Sequence, residues 1–185
     1  MTIEENLNQR LHKNDIDRLC RELDSDHGKS QLLALALNGY ERVAMNALWV
    51  FTHFNTHNRA WLEPHRGELI NRLLNSSNES HKRLILNLLE RMKWTPSNID
   101  STLLDYCFSQ INSNAPYAIR AFCLKLAYRQ CRHYPALLSE LILIIELMQQ
   151  NNLPPGIRSA RKNVLAQIAR TNKTAPKNVK ICQTL

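Results

Sequence analysis

Apolar positions recur along this chain at the three- and four-residue spacing of amphipathic helices, and no segment shows the alternation of a strand. The clearest case is Ile119, Phe122, Cys123 and Leu126, which fall on one side of a 3.6-residue helix. Three further segments share this form. Each opens with an arginine (Arg42, Arg83, Arg120 and Arg158), and the steps between them are 41, 37 and 38 residues. With each arginine as zero, offsets +2 and +6 are apolar every time: Ala44 and Leu48, Ile85 and Leu89, Phe122 and Leu126, Ala160 and Val164. Those two offsets lie within about 40° of each other around a helix and predict its buried stripe.

Each of the four segments follows another helical stretch, over residues 28–37, 64–74, 98–111 and 135–148. Turn-forming clusters separate the partners, at Asn38-Gly39 and over residues 75–78, 112–114 and 151–155. Their Asn and Ser side chains are suited to capping the helix that follows. Thr95-Pro96-Ser97 and His133-Tyr134-Pro135 interrupt the chain between pairs. A period of this length predicts stacked helical pairs in place of a single globular core. The expected fold is all-α: about four pairs over residues 28–170, an N-terminal capping helix over 2–23 within a cap of residues 1–27, and a basic, mobile tail over 171–185.

The period, the pairing and the second-helix arginine with its apolar followers resemble the HEAT repeats of armadillo-like proteins, over residues 28–170. The resemblance implies an α-α superhelix whose second helices line a concave face. HEAT repeats usually carry an aspartate about six residues before that arginine, forming a ladder between neighbours. Here those places hold Ala36, Ser77, Asn114 and Asn152, so the ladder is expected to be absent or replaced by amide bonds. The concave face would carry offsets 0, +4 and +7: Arg42, Asn46 and Trp49; Arg83, Asn87 and Glu90; Arg120, Leu124 and Ala127; Arg158, Lys162 and Leu165.

Two readings of the arginine column follow. Forked guanidinium groups suit an acidic or phosphorylated ligand. Alternatively each arginine bonds helix-end carbonyls and packs its stem on the next repeat, which the resemblance favours. The candidate binding residues are Arg42, Arg83, Arg120, Arg158, Arg161, Lys162 and Trp49. Among them Arg158, with Arg161 and Lys162, is the expected exception to a structural role, since no acid lies near it in sequence.

Charge sharpens this picture at one end. The net charge is +8, yet residues 1–146 are nearly balanced; after Glu146 there is no acid, and seven bases follow. That basic end supports a second expectation, phosphate contacts with nucleic acid through Arg158, Arg161, Lys162, Arg170 and Lys173. An architectural resemblance to HEAT-like DNA alkylpurine glycosylases belongs with it. Those enzymes hold DNA in a basic groove with tryptophans and one carboxylate, and Glu90 cannot be aligned to that carboxylate.

The remaining chemistry is sparse. There is no phosphate-binding Gly-Lys-Ser/Thr loop, nucleophile elbow or His-Glu-x-x-His, so no enzyme and no cofactor are expected. His53 and His57, four apart, with His65 as the only nearby third ligand, make at most an incomplete metal site. Five cysteines without a Cys-x-x-Cys are expected as reduced thiols of a cytoplasmic protein, three of them as small hydrophobes inside helical patterns. No leader is visible at the N-terminus, and the apolar stretch over 137–148 is too short to span a bilayer. The leading expectation is a non-catalytic module that presents a partly basic surface to an acidic protein partner, with no membrane and no small-molecule substrate.

Overall fold

The computed structural model describes residues 2–148 and 153–174, and among these every regular element is helical. After α1 (Ile3–Leu7) and α2 (Lys13–Glu22) come α3 (Asp26–Asn38) and α4 (Glu41–His53). A short α5 (Thr56–Ala60) and a 3-10 turn, Glu63–His65, lead into α6 (Arg66–Asn75) and α7 (Glu79–Arg91). The 3-10 turn Pro96–Asn98 precedes α8 (Ser101–Ile111), which pairs with α9 (Tyr117–Cys131). The last two helices are α10 (Pro135–Glu146) and α11 (Pro155–Thr174).

Three of the four expected pairs are present, and the fourth, α10 with α11, is not among the main helix packings. α3 packs on α4, α6 on α7 and α8 on α9, while α4, α7, α9 and α11 pack on one another in that order as a row. α10 packs on α8 and α9. The predicted stripe is the core of the row: Ala44, Leu48, Ile85, Leu89, Leu126, Ala160 and Val164 are all buried, and Phe122 is half-buried. The turns work largely as their residue types dictate. Asn78 caps α7 by accepting from the Ser80 and His81 amides, and Asp100 caps α8 through Leu103 N. Gly39, between α3 and α4, is fixed by close approach, since an added Cβ would lie 2.5 Å from the Leu35 carbonyl oxygen.

The repeat period reappears in the polar bonds between neighbouring repeats. The buried His81 donates from Nε2 to Glu41 O at 2.9 Å, a bond that requires the Nε2–H tautomer because a carbonyl only accepts. Arg91 Nη1 donates to Thr52 O at 3.0 Å, Arg129 Nε to Glu90 at 2.8 Å, and His133 Nε2 bonds Trp94 O at 3.1 Å. The partners in these bonds are 39 or 40 residues apart. In place of Asp–Arg ladder bonds, these neighbours share histidine-to-carbonyl and arginine-to-carbonyl bonds and the Arg129–Glu90 ion pair.

Three further expectations need correction. The N-terminal helix over 2–23 is two helices: α1 opens on a reciprocal cap of Thr2 with Glu5, and a separate start before α2 is marked by Asp15 accepting from the His12 amide at 2.9 Å. The repeat pattern does not predict α5; Asn55 starts it by accepting from Asn58 N at 2.8 Å. Finally, the face at offsets 0, +4 and +7 is not uniformly open: Asn46, Leu124 and Ala127 are buried. α9 is packed by α7 on one flank and α11 on another, while Asn46 lies under the segment between α1 and α2. α11 runs to Thr174; the rest of the basic end, with Lys177 and Lys180, lies outside the described residues, as does Asn152.

Candidate functional site

The four repeated arginines occupy equivalent places and meet different surroundings. Arg120 is half-buried, and its Nε donates to Ile111 O at the end of α8, 2.9 Å away. Arg158 Nη2 donates to Leu153 O at 2.9 Å, and Arg161 Nε reaches Ile145 O at 3.5 Å. These three lie on carbonyls at helix ends or connections, where a cation is favoured by orphan acceptors and the helix dipole. Arg158 and Arg161 thus share with Arg120 a bond to a main-chain carbonyl. Lys162 is exposed beside Arg161.

Arg42 and Arg83 stand apart. Arg42 is exposed and reaches Asn8 O only at 3.5 Å; Arg83 is exposed and makes no hydrogen bond or ion pair among the described residues. Both line one cavity of about 430 Å³, together with Trp49 and Arg10. Leu11, Met45 and Leu84 supply apolar wall, and among the described residues no carboxylate lines it. Its floor is organised by Asn46, whose Nδ2 donates to Leu7 O at 2.7 Å and Gln9 O at 3.0 Å. Those bonds fix the chain after α1, so Gln9, Arg10 and Leu11 form one wall of the cavity. Trp49 is half-buried, with its ring edge-on to His53 at 5.8 Å. The structure thus joins three of the seven candidates, Arg42, Arg83 and Trp49, and adds Arg10, which the repeat pattern does not contain. Arg120 lines a different concavity near Leu153 and Pro154.

Other chemistry is quiet. His53 Nδ1 bonds Trp49 O at 3.1 Å, and His65 Nδ1 bonds Glu68 at 2.7 Å. Among the described residues no three His, Cys, Asp or Glu side chains converge as metal ligands. Cys20, Cys107, Cys123 and Cys131 are free thiols. Burial, with Asp17 adding to it, pushes Cys20 up to about 11, and burial with Glu140 pushes Cys131 up to about 12. Burial and a hydrogen bond with Cys123 raise Cys107 as well. Thiols held protonated in this way are poor nucleophiles. Glu90, the one acid placed on the candidate face, is engaged by Arg129.

Paired helices stacked in a row, with polar bonds recurring at the repeat spacing, define an α-α repeat scaffold. A family model described as a HEAT repeat domain matches residues 3–168, and the chain belongs to that family. No curated protein and no solved structure matches it. Among the described residues no helix is long and apolar enough to cross a membrane.

Proposed function

We propose that this protein is a non-catalytic binding scaffold that receives an acidic segment of a protein partner in the cavity between α4 and α7. The observation that carries the reading is the cavity's lining: Arg10, Arg42 and Arg83 around Leu11, Met45, Trp49 and Leu84, with no carboxylate among the described residues. Arg83 has no partner among the described residues to compete for its guanidinium. A segment that places an apolar side chain on Trp49 and carboxylates against the arginines matches this surface in shape and charge. Membership of a HEAT repeat family supports the same reading, since such stacks present extended surfaces to partners. Arg120, Arg158 and Arg161 then act on helix-end carbonyls, and Lys162 remains a solvated cation.

The test is a fluorescence titration of the full chain with a synthetic peptide of alternating Glu and Leu, set against its Lys and Leu counterpart. The acidic peptide is expected to bind saturably and the basic one not at all. Arg42→Glu with Arg83→Glu is expected to weaken binding by about a hundredfold, from the loss of two charge-assisted bonds and added repulsion. Binding that survives this reversal in a folded variant refutes the assignment. A duplex oligonucleotide that binds tightly, and loses affinity on Arg158→Glu with Lys162→Glu, would replace it with phosphate recognition at the C-terminal basic face.

A further inference from the structure

A second concavity, separate from the cavity just described, opens where α4, α7 and α9 end. It holds about 640 Å³ and is lined by five cations, Arg59, Arg91, Lys93, Arg129 and Arg132, against one carboxylate, Glu63. Glu63 is already committed: Oε1 accepts from the Lys93 amide at 2.7 Å and Oε2 pairs with Arg66. Arg129 shares Glu90 at 2.8 Å, which leaves the other four cations without an acid of their own among the described residues.

Two guanidinium groups are held close together by one helix end. Arg59 Nη1 donates to Phe54 O at 2.5 Å and Arg91 Nη1 to Thr52 O at 3.0 Å, carbonyls two residues apart at the end of α4. Their mutual repulsion is felt: burial first, and Arg91 next, hold Arg59 below its ordinary pKa. Three helix ends of about half a negative charge each offset only part of five positive charges. Buried Leu62, Leu88, Met92 and Trp94 wall the concavity on its apolar side, where charge–charge attraction is less screened than in bulk water.

We infer that this concavity binds a small anion carrying more than one phosphoryl group, through Arg59, Arg91, Lys93, Arg129 and Arg132. Forked guanidinium groups match phosphate oxygens two at a time. One doubly charged group would answer only two of the four cations that have no acid of their own, whereas two linked groups balance all four. The volume is that of a small-molecule pocket. The cations also line one concavity instead of tracking along a strand's length, the arrangement a nucleic-acid backbone needs. The inference is independent of the acidic-segment reading, which uses other residues.

The experiment is isothermal titration of the full chain with inorganic tripolyphosphate at low salt. Saturable binding to a single site is expected. Lys93→Gln with Arg132→Gln, two exposed side chains that bond no main-chain group, should weaken it by about tenfold without loss of helicity. Arg91→Gln should weaken it as well, and Arg83→Gln, in the other cavity, should leave it unchanged. Absence of saturable heat from the unaltered protein overturns the inference, as does an equal loss from Arg83→Gln. A duplex oligonucleotide that binds more tightly than tripolyphosphate, and is weakened by the same double variant, overturns the small-anion assignment in favour of a nucleic acid.

Discussion

The α4–α7 end of the row and the α9–α11 end are built from the same repeat and treat its arginine differently. Around α9 and α11, Arg120, Arg158 and Arg161 all lie on main-chain carbonyls, and the offset +4 and +7 positions of α9, Leu124 and Ala127, are buried. Around α4 and α7, Arg42 makes one long bond, Arg83 makes none among the described residues, and both edge a cavity with Trp49. The difference comes from what is available nearby. The carbonyls of Ile111 and Leu153 lie within reach of Arg120 and Arg158, whereas α7 is entered through an Asn78 cap that also bonds Glu41. A repeated residue therefore marks a repeated position, and its job is set by which acceptors the local connection leaves open.

The largest expected effect concerns the wall that makes the α4–α7 end distinctive. Asn46→Ala removes two bonds to Leu7 O and Gln9 O from a buried site. A loss of about 2 kcal/mol or more is expected, read as a drop of roughly 4–8 °C in thermal midpoint. Hydrogen exchange at residues 3–12 should quicken more than exchange in α9. Uniform quickening along the chain would mean that Asn46 supports the whole row and not the N-terminal wall.

A smaller effect spans both ends. Cys20 beside α4 and Cys131 at the end of α9 have thiols raised to about 11 and about 12, mainly by burial. A raised folded pKa favours the folded chain fully below the ordinary value of 9.0, and that contribution is lost as pH rises toward the folded values. Urea midpoints should therefore fall between about pH 8.5 and 11, and less steeply in Cys20→Ala. A midpoint that is flat over this range would show that the thiols ionise as freely in the folded chain as in the unfolded one.

The helical pairs and the buried stripe could be read from spacing alone, because a stripe of apolar residues reports which side of a helix faces its partner. It does not report what covers the flanks. Leu124 and Ala127 looked like surface positions by offset, yet α9 lies between α7 and α11 and both are buried. Asn46 looked like a groove residue, and is instead the acceptor-seeking amide under the N-terminal segment. Arg10, Arg59 and Arg132 escaped the repeat argument for another reason: they come from connections and helix ends, which carry no period. Arg91 and Arg129 had a fainter signal, as bases in the last turns of α7 and α9. The Thr2-to-Glu5 spacing was a readable sign that the N-terminal segment starts a helix, though not that it stops at Leu7.

Equivalent arginines thus divide into those bonded to helix-end carbonyls and those left available. The most direct measurement compares the thermal midpoints of Arg120→Ala and Arg83→Ala. Removal of the Arg120 bond to Ile111 O should cost about 1–2 kcal/mol, a fall of roughly 2–8 °C for a chain of this size, whereas Arg83→Ala should change the midpoint by less than about 2 °C. Equal losses from the two substitutions would contradict the division and return Arg83 to a structural role.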